Sequence, residues 1–163
     1  MYRKLLIPTD GSTLADIAAK AGVTFAQEIG AAVVGFSVGA IYRYPLDFSG
    51  HTYPWPSEHE YSDMMDNVLD RQLGVVRNGA QAANIRFQPA SVLSDAPAEE
   101  IVDAARRYQC DLIFMGSHSR SGVSRLFLGS VAAKVLALTH IPVTIYHASP
   151  DEIARFENEP KSR

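Results

Sequence analysis

The sequence predicts an α/β fold, an open five-stranded parallel sheet with helices on both faces. Along its 163 residues, short apolar runs alternate strictly with segments of helical periodicity, an order typical of parallel sheets with right-handed crossovers. The apolar runs lack the in–out alternation of half-exposed strands, which indicates burial between two helix layers. The length and a hydrophobic content of 47% suit one domain with a substantial core. We assign residues 1–148 to that domain and 149–163 to a C-terminal tail, frayed or helical.

The first strand, helix and strand are predicted within residues 4–38. Pro8 ends the first strand, and Ser12 is a suitable N-cap for a helix whose C-cap is Gly30. The second strand, residues 32–38, is almost wholly apolar. The apolar face of the helix is predicted to comprise Leu14, Ile17, Ala18, Ala21, Phe25 and Ile29.

Residues 39–57 have no clear period, although they are rich in aromatic residues and proline. The aromatic residues are Tyr42, Tyr44, Phe48, Tyr53 and Trp55. A loop of this length inside a compact domain is uncommon and is usually functional or interfacial. Two interpretations remain open: the aromatic side chains fold back over the second helix, or the segment forms a lid or a dimer-contact arm.

A long second helix is predicted from the cap Ser57 to Ala83. Its apolar stripe, predicted to be core, comprises Tyr61, Met64, Met65, Val68, Leu69, Leu73 and Val76. The third strand follows over 85–93. Either Ser94 or Asp95 is expected to cap the next helix, which has Pro97 in its first turn and runs to Tyr108. Cys110 is expected to be a small buried residue.

Residues 111–147 complete the pattern with a fourth strand, a loop, a helix and a fifth strand. The strand covers 112–115, and a loop rich in glycine and serine extends from Gly116 to Ser124. Gly129 and Ser130 open a helix with apolar Val131, Val135 and Leu138, and Pro142 ends that segment. A strand, such a loop and a helix N-terminus in this order allow backbone N–H groups to converge on an anion. The pattern predicts half of a nucleotide-phosphate cradle.

Composition argues against several other functions. A net charge of −3 disfavours a nucleic-acid-binding surface, and one cysteine excludes a disulfide framework. No apolar run is long enough for a signal peptide or a membrane span, so we expect a cytoplasmic protein with neither membrane nor nucleic-acid partners. The five histidines lack metal-ligand spacing, and neither a P-loop nor a Gly-x-Ser-x-Gly motif is present.

Three short motifs resemble those of the universal stress protein family. Residues 8–12 read Pro-Thr-Asp-Gly-Ser after the first strand, 115–118 read Met-Gly-Ser-His after the fourth, and 128–130 read Leu-Gly-Ser before the last helix. ATP-binding members carry Gly-x-x-Gly, nine residues, then Gly-Ser or Gly-Thr. Here the spacing from Gly116 to Gly129 is intact, and Ser119 replaces the middle glycine. The resemblance implies an adenine-nucleotide alpha-hydrolase-like, Rossmann-like three-layer sandwich.

The resemblance also implies a ligand and a set of residues that hold it. The ligand is ATP, or AMP or ADP, with or without Mg²⁺, for which Asp10 is the candidate ligand. Pro8, Thr9, Asp10 and Val38 would contact adenosine, and Met115 and Gly116 would flank the ribose. The phosphates would contact Ser117, His118, Ser119, Arg120, Gly122, Gly129, Ser130 and Val131, with Arg125 just beyond. Some of these also have purely structural interpretations: Pro8 ends a strand, Val38 and Met115 are core, and Ser130 caps a helix.

Ser119 is expected to weaken nucleotide binding without preventing it. A non-glycine residue with positive φ costs about 1–2 kcal/mol, which corresponds to about tenfold in affinity.

Two functions are compatible with the sequence. The first is an adenine-nucleotide-binding protein of the stress response, acting by binding rather than turnover. Slow ATP hydrolysis is the most catalysis we expect, with Asp10 as the candidate base. The alternative is a dimeric scaffold of the same fold that lacks nucleotide and acts through protein partners. The family implies a homodimer joined along the last strand, where apolar Val143, Ile145 and Tyr146 would otherwise form an open sheet edge.

Overall fold

The computed structural model describes residues 1–43, 56–117 and 128–158. The strands are β1 (Lys4–Pro8), β2 (Ala32–Gly39), β3 (Phe87–Leu93), β4 (Leu112–Gly116) and β5 (Val143–Tyr146). The helices are α1 (Thr13–Ile29), α2 (Glu58–Gln72), α3 (Gly74–Ala82), α4 (Pro97–Arg107), α5 (Ser130–Leu138) and α6 (Pro150–Asn158).

All five strands form one parallel sheet in the order β3-β2-β1-β4-β5. The central strand β1 pairs with β2 from Lys4↔Ala32 to Pro8↔Phe36. On its other side β1 pairs with β4 through Leu5↔Leu112 and Leu6↔Ile113. The chain therefore winds outward in both directions from β1, and the predicted α/β class is confirmed.

A core lies on each face of the sheet. On one face, α4 and α5 cover a cluster that includes Leu6, Val34, Ile113 and Val135. On the other face, α1 and α3 cover the alternate strand positions, among them Leu5, Ile7, Val33 and Leu112. Burial on both faces explains why the strands read as continuous apolar runs in the sequence.

Most of the predicted caps are present. The Ser12 side chain accepts a hydrogen bond from Ala15 N–H, and Gly30 ends α1 with φ of 69°. Ser57 begins α2 in a capping box with Glu60. The cap predicted for α4 is wrong: Ala96 is the N-cap and makes no side-chain hydrogen bond, while Ser94 Oγ accepts from Ala96 N–H. Pro97 at the first helical position lacks an N–H, which removes one of the donors that a cap satisfies.

The single long helix predicted from Ser57 to Ala83 is wrong, because α2 ends at Gln72 and α3 begins at Gly74. Leu73 between them has ψ of −11°, and glycine at the next position favours an interruption. The apolar stripe is only partly core. Leu69, Leu73 and Val76 are buried, whereas the side of α2 that carries Met64 faces solvent and Met64 is 58% exposed.

The buried face of α1 is partly the predicted one, since Ile17 and Ala18 are buried as expected. Leu14, Ala21, Phe25 and Ile29 are half-buried, and Ala19, Gly22, Val23 and Ala26 are buried instead. Gly22 lies at the closest approach to the sheet, since a Cβ added there would lie 2.9 Å from Phe114 Cδ1 and 3.0 Å from Ile7 Cδ1. The small residues of α1 therefore let its backbone approach the sheet.

The strand bounds differ from the prediction by one or two residues. β3 begins at Phe87 rather than 85, and β2 and β4 each extend by one residue to Gly39 and Gly116. Cys110 is buried as expected, and burial raises the pKa of its thiol to about 11.

The C-terminal tail was expected to be frayed or helical. Its described part is helical, because it contains α6. The Tyr146 hydroxyl donates to Glu152, and Lys20 Nζ lies 4.5 Å from the centre of the Phe156 ring. These contacts join α6 to β5 and α1. In the described ranges, no helix has the length and apolar character needed to cross a bilayer.

We expect Gly22→Val to lower the free energy of unfolding by about 1–3 kcal/mol, because the added methyl groups must displace Phe114 or Ile7. Urea denaturation followed by circular dichroism measures the change. The matched control is Gly74→Ala, since a Cβ at Gly74 meets no atom within 4 Å. Equal stabilities of Gly22→Val and the original protein would contradict the close packing of α1 on the sheet.

Candidate functional site

A cavity of about 480 Å³ opens at the carboxyl ends of β1, β2 and β4. The helices that follow β1 and β4, α1 and α5, cover opposite faces of the sheet. In open parallel sheets, ligands bind where the strand order reverses in this way. A volume of this size suits a small organic ligand. The lining residues are Pro8, Thr9, Asp10, Ala15, Phe36, Val38, Gly39, Ala40, Met65, Val68, Gln72, Pro97, Ile101, Met115, Gly116, Ser117, Gly129, Val131 and Ala132.

One part of the cavity wall is apolar. Phe36, Val38 and Met115 belong to the core cluster beneath α4 and α5, together with Ile101 of α4. Their outer surfaces line the cavity where the strands end. Such a wall can bury a flat hydrophobic ring, since burial contributes about 25 cal/mol per Å² of apolar surface.

The turn after β1 supplies polar groups at the rim. Thr9 N–H donates to Phe36 O at 2.9 Å, which ties the start of the turn to β2. Gly11 N–H donates to Thr9 Oγ1 at 3.1 Å, and Ser12 N–H donates to Asp10 Oδ1 at 3.0 Å. Gly11 has φ of 69°, a conformation that glycine adopts at little cost. The turn therefore holds the Asp10 carboxylate in a defined position at the cavity.

The end of β4 and the start of α5 form the opposite rim. Gly129 N–H donates to Ser117 O at 2.7 Å, which brings the N-cap of α5 against the strand exit. Ser117 N–H donates to Tyr146 O at 2.9 Å, and Ser117 Oγ lies 3.0 Å from His147 Nδ1. These bonds fix Ser117 from three sides.

The N-terminus of α5 also presents amide groups at this rim. The first hydrogen bond of the helix runs from Ala133 N–H to Gly129 O, so the amides of Ser130, Val131 and Ala132 precede the helical ladder. Val131 and Ala132 line the cavity. A helix N-terminus carries a partial positive charge and favours an anion.

The structure brings together nine of the residues proposed from sequence. Pro8, Thr9, Asp10, Val38, Met115, Gly116, Ser117, Gly129 and Val131 all line the cavity. Ser130 is not among the lining residues; it is the exposed first residue of α5, and Gly129 rather than Ser130 is the N-cap. His118, Ser119, Arg120, Gly122 and Arg125 lie outside the described residues.

Sequence reasoning missed a second group of lining residues. It comprises Ala15, Phe36, Gly39, Ala40, Met65, Val68, Gln72, Pro97, Ile101 and Ala132. Periodicity assigned Met65 and Val68 to the core, although both are half-buried and face the cavity. Gln72 gave a usable signal, because it is a polar residue on the apolar stripe of the helix, four residues after Val68 and three after Leu69.

The described lining residues suit a metal ion that arrives with a ligand, and not one held by the protein alone. Of the described lining residues, Asp10 alone carries a carboxylate. Across the described ranges, no three or more His, Cys, Asp or Glu residues cluster closely enough to hold a metal ion. Mg²⁺ is commonly bound through one or two carboxylates together with substrate phosphates, and Asp10 can supply one such ligand.

Comparison with known proteins points to a single family. The model of the universal stress protein family matches residues 1–147. Universal stress protein MJ0531 of Methanocaldococcus jannaschii is 32% identical over 148 residues, covering 89% of this chain and 82% of that protein.

Solved structures share the fold. Protein MJ0577 of the same organism superposes with a TM-score of 0.68 at 26% identity, covering 91% of this chain and 98% of that chain. A universal stress protein family member from Arabidopsis thaliana with AMP bound has a TM-score of 0.64 at 14% identity, covering 92% and 94%. The chain belongs to the universal stress protein family.

Proposed function

We propose that this protein binds an adenine nucleotide in the cavity, ATP foremost and AMP or ADP as well. It would act in the stress response by binding rather than by turnover. The observation that carries the proposal is the convergence of three features on one cavity: an apolar wall from β2 and β4, the Asp10 turn after β1, and the N-terminus of α5.

The three features match the three parts of a nucleotide. The apolar wall of Phe36, Val38 and Met115 suits the base, whose faces are hydrophobic. Asp10 can accept hydrogen bonds from ribose hydroxyls or bind Mg²⁺. The amides at the start of α5 suit the phosphates.

Family membership adds support from outside the chain. The Arabidopsis thaliana protein with AMP bound has the same fold. At 14% identity that likeness concerns the fold alone, so the proposal depends on the cavity of this chain.

Binding without turnover is favoured by the scarcity of candidate bases among the described lining residues. Asp10 carries the one carboxylate among the described lining residues, and its Oδ1 accepts a hydrogen bond from Ser12 N–H. A general base must reach the proton that it removes. We assign the Asp10 carboxylate to the ribose hydroxyls or to Mg²⁺ rather than to the removal of a proton.

Calorimetry with Mg-ATP on nucleotide-stripped protein tests the proposal. We expect saturable heat, and its absence at millimolar nucleotide would refute nucleotide binding.

Val131→Asp should weaken ATP binding by about tenfold or more, because the new carboxylate would repel the phosphates at the cavity. The control is Ala133→Asp, which adds the same charge at an exposed position of the same helix.

Ser119→Gly, which restores the family's glycine, should tighten ATP binding by about tenfold in the same calorimetric measurement.

We also propose a homodimer formed along β5. This strand is at the edge of the sheet, and among the described residues only β4 pairs with it, which leaves the outer side of β5 open. Val143 and Ile145 pack against the core beneath α4 and α5, and Tyr146 packs on the other face, but all three side chains are only half-buried. Leu136 and Leu138 of the preceding helix α5 are 43% and 40% exposed, which adds apolar surface near that edge.

Sedimentation equilibrium at micromolar protein should give twice the mass of the chain. An open strand edge with neighbouring apolar side chains favours association. A monomeric mass across that concentration range would contradict the dimer.

A scaffold that acts through protein partners is the second candidate. The observation favouring it is exposed apolar surface beside the aromatic segment: Met64 is 58% and Ile41 41% exposed. Tyr42 folds back on the second helix, with its ring 5.1 Å from that of Tyr61 and its hydroxyl bonded to Pro56 O. The aromatic residues from Tyr44 to Trp55 lie outside the described residues.

Mass spectrometry of protein denatured after native purification separates the two candidates. We expect ATP, ADP or AMP to be released in a stoichiometric amount. An empty protein together with a stoichiometric co-purifying protein would favour the scaffold.

A further inference from the structure

The C-terminal helix α6 lies beyond the residues that the family model matches, which end at 147. It follows β5 along the chain and packs on α1. None of its nine residues is buried, and Ile153 and Phe156 are half-buried. An isolated helix of this length is marginal in water, so contacts with the rest of the domain keep α6 folded.

Glu152 makes the polar contacts at the start of α6. Its Oε1 accepts a hydrogen bond from the Tyr146 hydroxyl, and its Oε2 accepts one from Ser149 N–H at 2.7 Å. Glu152 N–H donates in return to Ser149 Oγ at 3.3 Å, which completes a capping box. The hydrogen bond from Tyr146, followed by those from Ser149, lowers the pKa of the Glu152 carboxyl to about 2. The carboxylate is therefore ionised at neutral pH.

Tyr146 joins this helix to the rim of the cavity. Its hydroxyl contacts Glu152, and its ring stacks on that of Phe114 with 6.1 Å between the centroids. Its backbone carbonyl accepts a hydrogen bond from Ser117 N–H at 2.9 Å. One residue thus contacts α6, the core beneath α1 and the exit of β4 at the cavity.

The residue after Tyr146 makes a second connection to the rim. His147 Nδ1 lies 3.0 Å from Ser117 Oγ. Ser117 O accepts in turn from Gly129 N–H at 2.7 Å, and Gly129 is the N-cap of α5. Ser117 and Gly129 both line the cavity. The two residues that lead from β5 toward α6 therefore also hold the β4–α5 rim.

We infer that α6 is a regulatory strap: when it is docked on Tyr146 it holds the β4–α5 rim in position, and its release weakens ligand binding at that rim. A helix without a buried residue is the kind of element that opens locally at a low cost in free energy. Its docked and released forms are the two states that such regulation requires. The apparent dissociation constant rises as the docked fraction falls. The ligand in this inference rests on the proposed function, whereas the effect of α6 on the rim is measurable without a ligand.

Hydrogen exchange of the full chain without nucleotide, followed by NMR, tests the strap. Glu152→Ala removes the contact with Tyr146 and the capping box. Ala154→Pro breaks α6 and leaves Glu152 and Tyr146 unchanged. Either change should speed exchange of the Ser117 and Gly129 amides by about tenfold or more.

Two controls distinguish a local effect from general destabilisation. The Thr9 amide is the internal reference, because it donates to Phe36 O on the opposite rim, and its exchange rate should not change. The control variant is Glu157→Ala, which removes a carboxylate from an exposed position of the same helix. It should leave exchange at both rims as in the original protein.

Calorimetry with Mg-ATP on the same variants measures the effect on binding. A variant that keeps α6 docked in about a tenth of the molecules should bind ATP about tenfold more weakly. Glu157→Ala should bind as the original protein does. Because coupling between two sites is reciprocal, ATP should slow exchange of the α6 amides in the original protein.

The outcomes separate the strap from the proposed function. Unchanged exchange at Ser117 and Gly129 in both variants overturns the strap, and so does equal acceleration at Thr9, since the effect would then be general. Faster exchange at the rim with an unchanged affinity for ATP overturns the regulatory role. An original protein that binds no nucleotide refutes the proposed function and the regulation of ATP binding, while the exchange rates still decide whether α6 holds the rim.

Discussion

The parallel pairing of β1 with both β2 and β4 is the constraint on which the rest of the structure depends. It buries Leu5, Leu6 and Ile7 completely or nearly so between two helix layers. It also places the carboxyl ends of three strands side by side, so that their following turns share one edge. The hydrogen bond from Thr9 N–H to Phe36 O continues the β1–β2 pairing into the turn. The cavity is a consequence of that arrangement.

Small residues decide how closely the helices approach this sheet. Gly22 brings α1 onto Phe114 and Ile7, while Gly35, Ser37 and Gly39 admit the end of α2 and the residues after it to β2. Glycine within a helix or strand lowers intrinsic stability by about 0.5–1 kcal/mol relative to alanine. The packing of buried leucine and phenylalanine side chains in the space left by the missing Cβ atoms offsets that cost. The same close approach carries Gln72 to the cavity.

Much of the fold was predictable because its signals are local. Ser12, Gly30 and Ser57 act as caps through hydrogen bonds or dihedral angles within a few residues, so their type and position are sufficient. One prediction that failed concerned a residue whose state depends on distant parts of the chain. Met64 has the spacing of a core residue, but no other described element covers it. The cap of α4 failed for a local reason: Ala96 rather than Ser94 or Asp95 is the N-cap, and Pro97 after it has no N–H to be satisfied.

The sequence by itself determined the order of elements, the apolar strands and the motifs on either side of the cavity, since each depends on residues adjacent in the chain. Only the tertiary structure decided which side chains meet across the cavity. Ala15, Phe36, Met65, Gln72 and Pro97 come from four different elements, α1, β2, α2 and α4, and no periodicity links these elements to one another. Their convergence follows from strand order and from the distance at which helices pack, which are properties of the folded chain. Gln72 illustrates this: its identity is read from the sequence, but Ser37 and Gly11 become its neighbours only when α2 lies against the sheet.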